Sequence, residues 1–225
     1  MGRPSMSEDA VKANKISIIS AAMEMIREDG LNSVAARPLG TKVGMNSALI
    51  YRYFKDIDEV ILFACVHVLQ EYSEEMLIAN DTLESGAGNS DIDDEKVYLL
   101  SWELFCKHAF NNPEEYNRLF FSRHSSELES VIKEYYDLFP PEHNDDRDII
   151  LDAMFRSSKL KSRNLMLLIP ILEGMLTQNE IILINDLTVS YFYSLLLQLV
   201  DNEYGVTPEA QTKRMLDACR YLTGL

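Results

Sequence analysis

The chain has 225 residues, 47% of them hydrophobic, a formal charge of −15 and three scattered cysteines, Cys65, Cys106 and Cys219. That length can bury a sizeable core in one domain or two. The lack of any Cys-x-x-Cys pair argues against a disulfide framework or a zinc site and suits a reducing cytosol. The longest apolar stretch, Leu165 to Leu172, is too short to span a bilayer, and the first ten residues carry no apolar signal-peptide core, so a cytoplasmic protein with no membrane partner is expected.

Charge is divided unevenly. Residues 1–70 hold eight basic and eight acidic side chains, whereas residues 71–225 hold 13 basic and 28 acidic. The acidic second part would be repelled by DNA, and only the neutral first part can approach it. The asymmetry predicts two domains, 1–57 and 58–225.

In chain order, Ile16, Ile19, Met23 and Ile26 recur at spacings of three and four and predict one helix from about Ser7 to Asp29. Ser7 is its expected N-cap, with Glu8 and Asp9 at the positive end of the helix dipole. Gly30 to Lys55 follows, without one acidic residue but with Arg37, Lys42, Arg52, Lys55, Tyr51 and Tyr53. A basic, aromatic strip in an acidic protein is where a polyanion can dock. The strip reads as two short helices, near 36–43 and 47–54. Leu39, Val43 and Met45 supply an inner face, Gly44 a left-handed turn, and Asn46-Ser47 an N-cap. Ile50 and Phe54 then face inward, leaving Ser47, Ala48, Tyr51 and Arg52 outside. This is a helix-turn-helix whose second helix is expected in the major groove of double-stranded DNA.

Asp58-Glu59 opens a long helix to about Ala79, with Val60, Phe63, Ala64, His67 and Val68 on one side. Residues 80–94 are polar, acidic and Gly-containing, and predict a loop. Further helices are expected around 97–111, 114–121, 125–139 and 146–159. Two strongly apolar ones are expected at 163–176 and 187–204, and a last one starts at Thr207-Pro208. No stretch alternates with period two. The fold class is all-α, with about nine or ten helices.

Gly30, Arg37, Leu39, Val43-Gly44-Met45 and Ile50-Tyr51-Arg52-Tyr53-Phe54, with the preceding amphipathic helix and the acidic start at Asp58-Glu59, resemble the N-terminal signature of the tetracycline-repressor (TetR) family. The resemblance covers roughly residues 10 to 65. It implies a three-helix DNA-binding domain followed by a helical ligand-binding and dimerisation domain. It implies a transcriptional regulator, usually a repressor, released from a palindromic operator by a small-molecule effector. It also implies that Arg37 reaches the DNA, that Ser47, Ala48 and Leu49 face the bases, and that Tyr51 and Tyr53 touch the phosphate backbone. Arg3, near Lys12 and Lys15, resembles the family's flexible arm, which enters the minor groove. Three positions depart from the pattern: Ala35 where a Ser or Thr cap is usual, Gly40 where Ala is usual, and Ile57 where Lys is usual. The first two are expected to cost roughly 1 kcal/mol each in helix stability. The third removes an expected backbone contact.

The chemistry of the remaining candidates follows from side-chain type. The Arg37 guanidinium suits guanine O6 and N7, as two parallel hydrogen bonds; the bland alternative is a solvated surface arginine. Lys42, Arg52 and Lys55 are expected at phosphates, which position a protein without reading sequence. Ala48 and Leu49 suit thymine methyl groups, and Ser47 is the hydrogen-bonding member. Tyr51 reads alternatively as a partly buried aromatic. No H-x-x-x-H, E-x-x-H, G-x-S-x-G or phosphate-loop motif occurs, so no catalytic residue, cofactor or metal is expected. Met and aromatic side chains can line an adaptable pocket for an unknown small-molecule effector. Trp102, Phe105, Phe121, Met154 and Met166 are candidates, with Glu103 and His108 as polar contacts, against the plain alternative that most are core. The apolar helices at 163–176 and 187–204 are expected to form a two-fold dimer interface. Two heads would then fit successive major grooves about 34–36 Å apart. The rival readings are an all-helical enzyme or metal-binding bundle, and a degenerate family member acting through protein partners.

Overall fold

A computed structural model describes residues 7–87, 93–140 and 157–225. The described residues form ten α-helices: α1 Glu8–Asp29, α2 Ala36–Lys42, α3 Ser47–Ile50, α4 Ile57–Ala87, α5 Asp94–Asn111, α6 Pro113–Phe120, α7 Leu128–Leu138, α8 Leu160–Leu172, α9 Gln178–Val200 and α10 Pro208–Thr223. Two short 3₁₀ turns lie at Leu31–Ser33 and Ser125–Glu127. No strand occurs among them; one isolated bridge joins Glu173 and Leu176.

Local chemistry sets most helix ends. Ser7 Oγ accepts from the Ala10 N–H (3.3 Å), and Gly30, at φ 78°, closes α1 through its N–H to the Ile26 carbonyl. Asp56 caps α4, its Oδ1 accepting from the Glu59 N–H at 2.8 Å. Thr207 caps α10 and Pro208 takes the first helical position.

Four expectations are corrected. The helix expected to stop near Ala79 continues to Ala87. Asn80 is buried, and Thr82 returns its hydroxyl to the Ile78 carbonyl (2.8 Å), so polar residues that read as a loop are satisfied inside the helix. The expected helix 187–204 begins at Gln178 and ends at Val200. A capping box starts it: the Glu180 N–H donates to Thr177 Oγ1 (3.4 Å) and the Thr177 N–H to Glu180 Oε2 (2.8 Å). The expected helix 163–176 is Leu160–Leu172, closed by a turn in which Gly174 takes φ 87°. The second motif helix, expected to run to 54, is a single turn, Ser47–Ile50. Most of the helix expected at 146–159 lies outside the described residues, as do Arg3 and Met154.

The buried apolar side chains form one contiguous cluster running from Ile18 to Cys219. Helix α4 carries it from the N-terminal helices into the rest, since α1 packs on one part of α4 and α5, α6 and α7 on another. Phe192 of α9 sits amid aromatics, stacked on Phe110 (5.4 Å) and close to Phe105 (5.2 Å), Trp102 (5.5 Å) and Phe121 (6.3 Å). Helix α9 is long and apolar enough, by length and composition, to cross a membrane. Its Val189, Phe192, Leu195 and Leu196 are nevertheless buried against the protein's own helices, and its Asp186 pairs with Lys161 of α8 (2.7 Å). All three cysteines are free and buried.

Candidate nucleic-acid interface and effector cavity

The helix-turn-helix is built by backbone contacts. Gly44 takes φ 67°, which costs a glycine nothing. The Met45 N–H then reaches the Gly40 carbonyl at 2.8 Å. A Cβ at Gly40 would lie 2.8 Å from the Met45 oxygen and 3.1 Å from the Ser47 nitrogen. Gly40 is therefore a close-approach residue of the α2–α3 crossing, not merely a weak helix former as its residue type suggested. Ala35 does sit at the N-cap of α2 without a side-chain cap bond. Asn46 Oδ1 accepts from the Ala48 N–H (2.9 Å) and starts α3.

Ile50 (0% exposed) and Phe54 (3%) anchor the motif from inside. Phe54 meets Phe63 of α4 edge-on at 5.6 Å, and Lys15 of α1 lies over both rings, 5.2 and 5.8 Å from their centres. Ile57 packs half-buried against this core, so the residue standing in place of the usual Lys faces the protein. The outward side of the motif presents Ala48, Tyr51, Arg52 and Arg37, all exposed, with Ser47 and Leu49 half-buried beside them. Tyr53 is turned inward and its hydroxyl accepts from Asn14 Nδ2 of α1 (3.0 Å), which makes it first a tie between helices.

The basic side chains divide into two kinds. Among the described residues, Arg37 and Arg52 have no ion pair. Lys42 is held by Glu24 (3.1 Å) and Glu28 (3.3 Å) of α1, and the hydrogen bond from Glu24 contributes most to raising its pKa. Lys55 is held by Glu127 (2.9 Å), just ahead of α7, which raises its pKa likewise. Both lysines thus carry carboxylate partners that a phosphate would have to displace. Sequence reading saw no acid between Gly30 and Lys55 and could not see these partners arriving from α1 and from the start of α7.

Other charged contacts join the first three helices to the rest. Lys15 pairs with Glu134 of α7. Asp58, at the start of α4, pairs with Arg118, and with Arg123 at 3.2 Å. The hydrogen bond from Arg118 is the main cause holding the Asp58 carboxyl below its ordinary pKa.

Between α4, α5 and α8 lies a small cavity of about 20 Å³, room for roughly one water. Tyr72, Trp102, Phe105, Leu160 and Leu167 supply its apolar wall; Ser101, Arg163 and Asn164 supply its polar atoms. Arg163 is 2% exposed, stacks over the Phe120 ring (5.1 Å) and donates from Nε to the Ser157 carbonyl (2.7 Å). Burial lowers its pKa to about 10. A polar chain leads away from the cavity: Trp102 Nε1 donates to Asn164 Oδ1 (2.9 Å), and Asn164 Nδ2 donates to Asn185 Oδ1 of α9 (2.8 Å).

Of the expected pocket residues that are described, Trp102 and Phe105 line this cavity and the others do not. Glu103 is exposed on the opposite side of α5, in a surface groove against α10. His108 lies outside the cavity, bonded to Glu75 (2.7 Å) and edge-on to Tyr72 (6.0 Å). Phe121 stacks on Tyr193 at 4.1 Å, and Met166 packs half-buried against the core. Tyr72, Ser101, Arg163 and Asn164 were missed. The Arg163-Asn164 pair opening an apolar run was the available signal, since a charged residue there must be buried or end the helix.

Exposure along the two apolar helices is uneven. Leu196 is fully buried among the chain's own helices and Leu199 is half-buried. The apolar surface left open is nearer the start of α9, at Ile182 (44% exposed), Leu183 (57%) and Leu187 (47%). Ile169 of α8, with Met175 and Leu176 after it, extends the same exposed apolar set.

Residues 18–63 match the family model described as "Bacterial regulatory proteins, tetR family". No curated protein sequence matches the chain. Among solved structures, the fold resembles the Thermus thermophilus FadR, a TetR family transcriptional repressor crystallised in complex with lauroyl-CoA. The TM-score is 0.56 at 15% sequence identity, covering 93% of this chain and 92% of that one.

Proposed function

We propose that this chain, whose N-terminal segment belongs to the tetR family of bacterial regulatory proteins, is a cytoplasmic repressor that leaves its operator when a small molecule binds its body. The observation that carries the reading is the outward face of the helix-turn-helix. Arg37, Ala48, Tyr51 and Arg52 stand exposed around a one-turn helix that is anchored from behind by Ile50 and Phe54. In this reading residues 1–57 are the DNA-reading head and residues 58–225 the body. Arg37 reads a base edge, Ser47, Ala48 and Leu49 approach the bases, and Tyr51 and Arg52 grip phosphates, with Lys42, Lys55 and Tyr53 joining when their present partners let go.

A second copy of the chain supplies the other head. The exposed apolar set at Ile182, Leu183 and Leu187 supports a two-fold contact through α8 and α9. The repressor with lauroyl-CoA bound, similar in fold over most of both chains, supports a ligand-responsive body here. The physical logic is a coupling of sites: a ligand that prefers one spacing of the heads shifts the population away from the spacing the operator requires.

The test is retention of promoter fragments by the purified protein at two salt concentrations. Specific capture of a fragment containing an inverted repeat, weakening steeply with salt, is expected. Equal retention of all fragments, or none, would overturn the reading.

A further inference from the structure

We propose that the turn after α6, Ser122 to Ser126, is a further DNA contact in the acidic second part of the chain, with Arg123 gripping a backbone phosphate beside the helix-turn-helix. This rests on the reading of the chain as a DNA-binding regulator, and it adds to that reading a contact from outside the head.

The turn stands out in the sequence. Residues 71–225 hold 28 acidic side chains, yet none lies between Tyr116 and Ser126, a stretch that carries Arg118, Arg123 and His124. An acid-free basic stretch within an acidic chain is the pattern that also marks Gly30 to Lys55.

The fold brings the two stretches together. Asp58, one turn after Lys55, takes Arg118 on one carboxylate oxygen and Arg123 on the other, at 3.2 Å. The Lys55 ammonium reaches Glu127 (2.9 Å), whose N–H donates to the His124 carbonyl (3.0 Å). Arg123 and the exposed Lys55 therefore meet at the joint where the chain enters α4, with the exposed Arg52 one turn earlier. The other acids at this joint are turned to backbone amides: Asp56 Oδ1 accepts from the Glu59 N–H (2.8 Å), and Glu59 accepts from the Lys55 N–H.

Arg123 is built to change partners. Its side chain is 81% exposed, and its inner edge is fixed by the Nε bond to Nε2 of the buried His124 (2.9 Å). Its pair with Asp58 is a surface ion pair, which contributes little. A phosphate can take the guanidinium in charge-assisted bonds, and Asp58 still keeps Arg118. Phosphates recur about every 3.4 Å along the axis of each strand, so a guanidinium beside the docked motif has one within reach of its flexible stem. Ser125 and Ser126 follow with hydroxyls of a kind that donates to phosphate oxygens.

The test uses the full chain and a promoter fragment that the native protein retains. Phosphates whose ethylation blocks binding are mapped for the native protein, Arg123→Ala and Arg123→Lys, and affinity is measured across a salt series. Arg123→Ala should erase the interference at one phosphate of each half-site and keep the rest of the pattern. Its affinity should be lower at low salt, and the gap to the native protein should close roughly 3-fold for each head between about 50 and 200 mM salt. Arg123→Lys, which keeps the charge, should restore the phosphate and most of the salt dependence. Arg220→Ala, at an exposed arginine of α10, should match the native protein. An unchanged interference pattern would overturn the proposal even if affinity falls, because Arg123 would then act only through Asp58. A melting temperature of Arg123→Ala far below the native one would overturn it too, by showing that Arg123 serves the fold. If the native protein selects no fragment, the regulator reading fails and the proposal with it; if it selects one and Arg123→Ala matches it in pattern and salt slope, the proposal alone fails.

Discussion

The helix-turn-helix and the cavity present their candidate side chains in opposite ways. At the motif, the informative residues stand on the outside of one helical turn, and two buried residues, Ile50 and Phe54, hold them there from behind. At the cavity, the informative residues are themselves inside: Arg163, Asn164 and Ser101 are all nearly unexposed. The first arrangement suits a rigid polyanion that approaches from outside, and it tolerates change as long as the anchor holds. The second makes recognition and stability inseparable, because each polar group buried there must be satisfied by the fold or by a ligand. Charge follows the same division: residues 1–70 are neutral overall, and the remaining residues carry the whole −15.

The largest effects are expected on helix α9. Leu196→Asp puts a charge at a fully buried site and should cost on the order of 4 kcal/mol or more, losing the folded state. Leu183→Asp, at a site 57% exposed, should instead leave the fold intact and yield a 26 kDa species in sedimentation where the native protein gives 52 kDa, twice the 25.8 kDa chain. A native 26 kDa species would refute the dimer.

The next effect is in the motif's turn. Gly40→Ala places a Cβ 2.8 Å from the Met45 oxygen, and overpacking of this kind costs roughly 1–3 kcal/mol. A lowered melting temperature with lost DNA binding is expected. Because the buried cluster is continuous through α4, the melt should shift as one transition. A melt unchanged from the native protein would show that α2 and α3 can separate freely.

DNA affinity should respond more mildly to the outer face. Arg52→Ala should weaken binding to all sequences and flatten the salt dependence by about one unit of slope, while Arg37→Ala should also relax preference at one base step. Glu127→Gln frees Lys55 from its present partner and should raise affinity modestly, a result that anisotropy titration against a native control can measure. Unchanged affinity in all three variants would move the docking face elsewhere.

Acid should produce the smallest effect. The Asp58 carboxyl has a folded-state pKa below its ordinary value of 3.8, chiefly through the hydrogen bond from Arg118. Its stabilisation is therefore fully present above about pH 4, near its unfolded value. It is lost as pH falls through the lower folded value. Asp58→Asn should flatten the acid limb of a melting-temperature curve and leave the region above pH 5 parallel to the native one. Identical acid limbs would show that the pair with Arg118 contributes nothing to stability.

How much the sequence disclosed depended on how local each cause was. Ser7, Gly30, Gly44, Asn46 and Thr207-Pro208 sit where the sequence reading placed them because a cap or a left-handed turn is decided within four residues. The inward pair Ile50 and Phe54 was legible from spacing alone. The Thr177-Glu180 capping box is equally local, a Thr followed three residues later by Glu ahead of an apolar run, and it sets the start of α9 ten residues before Leu187. The end of α4 was misread for a different reason: residues 80–87 are polar, and only the burial of Asn80 and the Thr82 bond to Ile78 show why they stay helical.

An all-helical chain and a helix-turn-helix between Gly30 and Lys55 were legible from the residues alone. Each of these follows from residue type and spacing along one or two helices. Tertiary structure alone decided that Lys42 and Lys55 carry carboxylate partners, that Gly40 is a contact and not a defect, and that Arg163 closes a cavity with Trp102. It also decided that the open apolar face of α9 lies at Leu183 rather than at Leu196. Apart from the local contact at Gly40, these pairings join residues far apart in the chain, 72 positions in the case of Lys55 and Glu127. Periodicity shows that a helix has an apolar side, but which neighbour covers that side is fixed only when all the helices pack together.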